Sequence, residues 1–344
     1  MDAASSEDIF SRHYLLPEIG QDGQAVLLRS HVVVVGAGAI GSRIAELLCR
    51  AGVGRLTIID RDFVDFSNLS RQTLYTYQDA QKALPKAEAA RRRLNEIMPT
   101  CQVIPRIADL TCDTADLLLH GAQVIADGTD NLATRYLIND WCISSGVPWV
   151  YAGAVGTEAS NFPIVGRGGC FRCIFPDPPE AGSLPTCDTV GVLAAATAIA
   201  AARSSALVMR ILLNDIPEPV WETRDVWRGT YAAMSVESLR SAHGEKPCPL
   251  CRDGITEFLD SEAGAPAVAL CGRDMVQVRI GRAVDLAALE KAIGGSIEID
   301  NNGYLLRFEA DGHTIHVFGD GRALVKGTRD LARARSLVDR WIGT

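Results

Sequence analysis

Residues 32–35 are four consecutive valines, and Gly36, Gly38 and Gly41 follow them at once. A β-branched run of this kind reads as a strand, and a G-x-G-x-x-G turn returns the chain tightly into a helix, here over 42–51, where Ile44, Ala45, Leu47 and Leu48 supply helical residues. The feature restricts the chain to folds in which a buried strand feeds a helix through a turn of nearly bare backbone. Free N–H groups and the helix dipole at such a turn can hold phosphate. Asp60 ends the next strand, 56–59, and lies 19 residues after Gly41, in position to accept hydrogen bonds from ribose hydroxyls. By itself the loop fits NAD or FAD as well as ATP, and a glycine turn needed only for close helix packing is the plain structural alternative.

A charged helix over 86–98, closed by Pro99, and a strand over 102–107 complete a βαβαβ unit. A strand at 123–126, a polar turn at 127–131, a helix at 133–145 and a strand at 148–151 continue the sheet in the same style. Residues 166–189 are rich in Gly, Pro, Cys and Asp and read as a long loop. The alanine-rich stretch behind it, to residue 213, is interrupted by Arg203, Ser204 and Ser205, which suits a buried or amphipathic helix better than a membrane span. Residues 255–266 read as a linker. Beyond it, short strands at 275–280, 297–299, 304–308, 314–318 and 323–326, with helices at 285–293 and 330–341, form a small α+β module. At 344 residues and 47% hydrophobic content the chain can bury one large core plus such an appendage. A formal net charge of -8 offers no basic footprint for nucleic acid or an anionic membrane. The N-terminus has no basic region followed by an apolar run, so a cytoplasmic protein is expected.

The segment IIDRDFVDFSNLSRQTLYTYQDAQKALPKAEAA, with DGTDN at 127–131, resembles the ThiF/MoeB/HesA superfamily, the bacterial relatives of ubiquitin-activating enzymes. The resemblance covers roughly residues 8–255 in order and rests on the S-N-L-x-R-Q, P-K and D-x-T-D-N elements. It implies a Rossmann-like doubly wound α/β sheet in which Gly36, Gly38, Gly41, Asp60, Asn68, Arg71, Gln72, Lys86 and Asp130 form the ATP site. Asp60 would take ribose, Asn68, Arg71 and Lys86 the phosphates, and Asp130 Mg²⁺. Arg12 matches an arginine that in the family reaches the neighbouring subunit's ATP, which implies a homodimer. The implied reaction is adenylation of the C-terminal glycine carboxylate of a small ubiquitin-like sulfur-carrier protein ending in Gly-Gly, with release of pyrophosphate. The residue types agree. A carboxylate attacking the α-phosphorus must approach a polyanion, so Arg71, Lys86 and Mg²⁺ on Asp130 would neutralise the transition state, and an ionised carboxylate needs no general base.

Cys170 with Cys173, and Cys248 with Cys251, are two C-x-x-C pairs offering four thiolates for a structural, tetrahedral Zn²⁺. A redox dithiol or unrelated buried thiols are the alternatives, and the resemblance implies the zinc. Cys187 aligns with the family's crossover-loop cysteine; it is either a catalytic thiol or a loop cysteine without a task. Cys271 is read as a packing residue, and Cys49, Cys101, Cys112 and Cys142 as small buried hydrophobes. His13 reads as structural, and His313 and His316, three apart on a strand, point to opposite faces and are not taken as a metal pair. The expected organisation is an adenylating domain over 1–254 with a Cys₄ zinc clamp, and a module of unassigned role over 267–344. Two other readings stand beside it: a conjugating activator that passes its carrier as a thioester through Cys187, and more distantly a NAD-dependent oxidoreductase. A silent zinc-stabilised scaffold is a third, against which intact Arg71, Lys86 and Asp130 count.

Overall fold

The protein is described by a computed structural model over residues 9–178, 187–242, 247–261, 267–269 and 274–343. The chain divides into two compact units, Met1–Gln81 with Pro85–Glu262, and Lys82–Leu84 with Ala263–Thr344.

The first unit is built on an eight-stranded sheet of order β3-β2-β1-β4-β5-β6-β7-β8. Its strands are β1 (His31–Val35), β2 (Arg55–Ile59), β3 (Gln102–Arg106), β4 (Val124–Asp127), β5 (Trp149–Val155), β6 (Glu158–Ile164), β7 (Val220–Asp225) and β8 (Thr230–Ser235). The helices are α1 (Gly20–Arg29), α2 (Gly41–Arg50), α3 (Lys86–Ile97), α4 (Cys112–Leu119), α5 (Leu132–Ser145) and α6 (Ala194–Leu212). β1 pairs in parallel with both β2 and β4, and the valines 32–35 are buried, as a central parallel strand covered on both faces requires. Val33 and Val35 face a core shared with α4 and α5; the alternation of a strand turns Val32 and Val34 to the other side. Strand order reverses between β1 and β4, so the crevice at their carboxyl ends is the place where an open α/β sheet takes a ligand.

Past β5 the sheet departs from the expected style. β6, β7 and β8 run antiparallel to their neighbours. The reversal occurs in the two-residue turn Gly156-Thr157, where Gly156 takes φ 59°, a backbone that suits a tight hairpin. The alanine-rich helix α6 is long and apolar enough by length and composition to cross a membrane, yet it packs on β4, β5, β6 and α2 and buries Ala196, Ala200, Leu207 and Val208. Residues 255–260 are not a free linker. Phe258 donates its N–H to Asp140 Oδ2 at 2.9 Å and stacks on Tyr136 at 4.6 Å between ring centroids. The long loop at 166–189 contains two short helices, Phe171–Ile174 and Cys187–Val190.

The second unit is a six-stranded antiparallel sheet of order β11-β12-β13-β14-β10-β9. The strands are β9 (Ala267–Ala269), β10 (Met275–Arg279), β11 (Ile299–Asn301), β12 (Leu305–Ala310), β13 (His313–Phe318) and β14 (Arg322–Lys326), with helices α7 (Leu286–Ile293) and α8 (Leu331–Trp341). Asp285 and Asp330 cap the two helices through their side chains. Val276, Phe308, Ile315, Val317 and Val325 make its core with Leu337 and Val338 of α8. His316 is buried and His313 half-buried, with His313 Nδ1 bonded to Asp311 O at 2.8 Å.

Candidate functional site

The glycines at the end of β1 do two different jobs. A Cβ at Gly36 would lie 2.8 Å from Gly128 O, one at Gly41 1.8 Å from Gly36 O, and one at Gly128 2.4 Å from Gly41 Cα. These three therefore pack backbone on backbone and lock the turn against the end of β4. A Cβ at Gly38 has only Gly128 O within 4 Å, at 3.9 Å, so bare space lies above it. The N-cap residue Ile40 supplies no side-chain hydrogen bond to α2; Ser42 N–H is taken by Gly38 O at 3.1 Å, which leaves the N–H groups of Gly41 and Arg43 as the first-turn donors for an anion. Asp60 closes this loop from the side: its carboxylate accepts Ala37 N–H at 2.6 Å and Asp62 N–H at 2.7 Å. Burial pushes the Asp60 carboxyl pKa up, with Lys86 pulling the other way. Tyr75 donates its hydroxyl to Ala37 O at 2.6 Å from the opposite direction.

The S-N-L-x-R-Q stretch begins as a 3₁₀ turn, Phe66–Asn68, capped by Asp65. Asn68 Oδ1 accepts Asp65 N–H at 3.0 Å, but Asn68 Nδ2 and Gln72 Oε1 are buried without a hydrogen-bond partner. One donor and one acceptor left open in this way cost about 1–3 kcal/mol each, which a polar ligand or water would recover. Arg71 is half-buried and gives Nη1 to Ser67 O at 2.9 Å. Lys86, at the start of α3, is 3% exposed, and its ammonium lies 3.1 Å from Asp62 Oδ2. A chain of contacts thus joins the glycine loop, Asp60, Asp62 and Lys86.

At the end of β4 the two aspartates of D-G-T-D-N separate in role. Asp127 is fully buried, and its carboxylate accepts from Thr129 N and Oγ1, both at 2.7 Å, and from Arg135 Nε at 2.9 Å. Burial pushes its pKa up, and Arg135 works against that. Asp130 is exposed and makes no hydrogen bond or ion pair among the described residues; it lies within electrostatic range of Arg61 and Arg135. Asn131 caps α5 by accepting Thr134 N–H at 2.8 Å. Arg12 is exposed, ahead of α1, and joins none of these groups. His13 Nδ1 bonds Gln24 Oε1 at 2.8 Å, a structural contact. Asp62, Tyr75, Asp127 and Arg135 were not legible as site residues, although the acid pair in D-R-D and an arginine inside the apolar stretch of α5 were visible signals.

The four cysteines Cys170, Cys173, Cys248 and Cys251 place their Sγ atoms within 4.8 Å of one another. Three of the Sγ–Sγ separations are 3.7, 3.6 and 3.7 Å, close to the roughly 3.8 Å edge of a tetrahedron with metal–sulfur bonds of about 2.3 Å. Gly168 N–H points at Cys251 Sγ at 3.3 Å and Cys251 N–H at Cys248 Sγ at 3.5 Å, contacts that stabilise thiolate and orient it. The donor set fits a tetrahedral metal ion with no open position. Cys49, Cys101 and Cys142 are buried; Cys112, at the start of α4, is only half-buried, because a helix's first residue need not face the core. Cys187 opens its short helix, its side chain lying outside the described residues, as do Cys271 and residues 179–186.

Residues 10–250 match the ThiF family. The sulfur carrier protein ThiS adenylyltransferase of Bacillus subtilis is 37% identical over 338 residues, which is 97% of this chain and 99% of that protein. The SAMP-activating enzyme E1 of Haloferax volcanii is 35% identical over 258 residues, 75% of this chain and 93% of its own. Among solved structures, that of E. coli MccB shares the fold with a TM-score of 0.58 at 21% identity, over 73% of either chain.

Proposed function

The chain belongs to the ThiF family, and from that premise we propose that it is an adenylyltransferase that uses ATP to activate the C-terminal glycine carboxylate of a small ubiquitin-like sulfur-carrier protein. The observation that carries the reading is the crevice between β1 and β4. Its glycine turn stands open at Gly38, and in the same unit Asn68 and Gln72 hold a buried donor and a buried acceptor that lack partners. Its relatives of 37% and 35% identity, an adenylyltransferase and an activating enzyme by name, support it.

In this reading the α2 N-terminus and the turn at Gly36, Gly38 and Gly41 cradle the phosphates, and Asp60 accepts from the ribose. Asn68, Arg71, Gln72 and Lys86 hold the triphosphate. Lys86 enters already desolvated beside Asp62, so its ammonium turns from a carboxylate to a phosphate without shedding a full water shell. Asp130, the one carboxylate of its turn not spent internally, would hold Mg²⁺, which offsets phosphate charge when bound. The carrier's carboxylate attacks the α-phosphorus, the bond to the bridging oxygen breaks, and pyrophosphate departs with its charge stabilised by Arg71 and Lys86. Cys170, Cys173, Cys248 and Cys251 would hold Zn²⁺ as a structural clamp, and Cys187 is assigned to the subsequent handling of the acyl group. The exposed Arg12 is read as a residue offered to the site of a second copy in a homodimer. A reaction that consumes ATP beside reduced thiols belongs in the cytoplasm.

Intact mass spectrometry of candidate Gly-Gly carriers, incubated with protein, ATP and Mg²⁺, tests the reading. It predicts an AMP adduct on the full-length carrier and none on one lacking its last glycine. Equal adduct on both, or labelling of the enzyme alone, would contradict it. Mixing inactive Arg12→Ala and Asp130→Ala proteins restores part of the activity if the site is shared between copies, since one site of the mixed dimer is then complete.

A further inference from the structure

The turn that carries Asp130 is held chiefly from below, by a residue that no step of the proposed reaction uses. Arg135, the fourth residue of α5, gives Nε to Asp127 Oδ2 at 2.9 Å and Nη2 to Thr129 O at 2.7 Å and Ala152 O at 3.1 Å. Its guanidinium lies 4.5 Å from the centre of the Tyr151 ring. One buried side chain therefore joins the end of β4, the turn itself and β5. The same Tyr151 ring stacks on Phe171 at 5.6 Å, and Phe171 sits between Cys170 and Cys173, with its N–H given to Asn139 Oδ1 at 2.9 Å. Asp127 is fully buried, and its carboxylate already accepts three hydrogen bonds, two from Thr129 and one from Arg135.

We propose that Arg135 is a positioning residue: by fastening Asp127 and Thr129 to β5 it fixes the backbone that aims the Asp130 carboxylate at a divalent cation on the nucleotide. The proposal rests on the reading above, in which Asp130 holds that cation. An arginine suits the task because its planar fork serves three acceptors on three segments at once, whereas a lysine at the same place serves one or two and cannot keep their relative geometry. Support of a metal-holding group from behind is typically worth about ten- to hundredfold in metal affinity.

Calorimetric titration of ATP, once with Mg²⁺ and once with EDTA, separates this role from mere support of the fold. Wild type, Arg135→Lys and Asp130→Ala are compared after circular dichroism and melting temperature have established that each is folded. Arg135→Lys is expected to bind ATP as wild type does in EDTA but to lose about ten- to hundredfold in affinity when Mg²⁺ is present, with excess Mg²⁺ recovering part of the loss. A ratio of the two affinities equal to that of wild type overturns the proposal, however far the melting temperature falls. Should Arg135→Lys not fold, Asp127→Ala, which removes the carboxylate that accepts Arg135 Nε, carries the same test, and an unchanged ratio there overturns it equally. Mg²⁺ dependence that is lost in Asp130→Ala but kept in Arg135→Lys defeats this proposal alone. A wild type indifferent to Mg²⁺ defeats both it and the assignment of Asp130.

Discussion

Gly38 and Gly41 share one turn, yet the space around them sets different demands. A Cβ at Gly41 would collide with Gly36 O, so Gly41→Ala must open the turn and should cost about 3 kcal/mol or more, read as a large fall in melting temperature. At Gly38 nothing stands within 3.9 Å. Gly38→Ala should leave the melting point where it is or raise it slightly, while its methyl intrudes on the phosphate cradle and weakens ATP binding by about tenfold, or 1.4 kcal/mol. Loss of binding without loss of stability is the signature, and a Gly38→Ala protein with normal ATP affinity would remove the cradle from the account. Asp140 makes a prediction in pH. Burial inside α5 pushes its carboxyl up to about 6, above an ordinary value of about 3.9, so the folded state favours the protonated form. The associated stability is present below about pH 4 and is lost as pH rises through about 6. Asp140→Asn keeps an acceptor for Phe258 N–H and removes the titration; from pH 4 to 7 wild type should lose on the order of 1 kcal/mol relative to the variant. Parallel profiles in urea melts across that range would contradict it.

At the scale of elements, the parallel half of the sheet was readable and the antiparallel half was not, for a physical reason. β1 and β4 are buried apart from half-buried His31 and are apolar but for one end residue each, His31 and Asp127, whereas β7 has mixed burial and β8 is exposed at every position, leaving little hydrophobic pattern to read. The signal that did exist there was a turn, Gly156-Thr157 between β5 and β6, where Gly156 takes φ 59°. Of the candidate site, the glycine loop and the two C-x-x-C pairs stand out in the sequence by residue pattern, and Asn68, Arg71, Lys86 and Asp130 by the family resemblance. The site was illegible where tertiary contact decides, in Asp62, Tyr75, Asp127 and Arg135. The cysteine pairs, 74 residues apart in sequence, make the strongest claim on stability. A cross-link closing a loop of that length removes about 4 kcal/mol of unfolded-chain entropy, so Cys173→Ser should release the metal and lower the melting temperature by roughly 10 °C at about 2–4 °C per kcal/mol. Metal analysis of the purified variant decides this, and a metal content equal to wild type would end the clamp interpretation.

At the scale of the whole molecule, the chain makes two units with separate cores, and the B. subtilis relative matches 97% of the chain, whereas the Haloferax relative covers 75% of it. The proposed chemistry needs only the first unit's crevice, with phosphate, ribose and metal each met by a residue whose surroundings suit the task. Buried Asp127 is spent on the fold and exposed Asp130 is not, and the account turns on that division. ATP–pyrophosphate exchange, measured with the full chain, Mg²⁺ and Gly-Gly-ended carrier proteins, and repeated with Asp130→Ala, tests it most directly. The account predicts exchange that depends on a carrier and disappears in the variant while its melting temperature stays near that of wild type. Carrier-dependent exchange that persists at a near-normal rate in Asp130→Ala would contradict it.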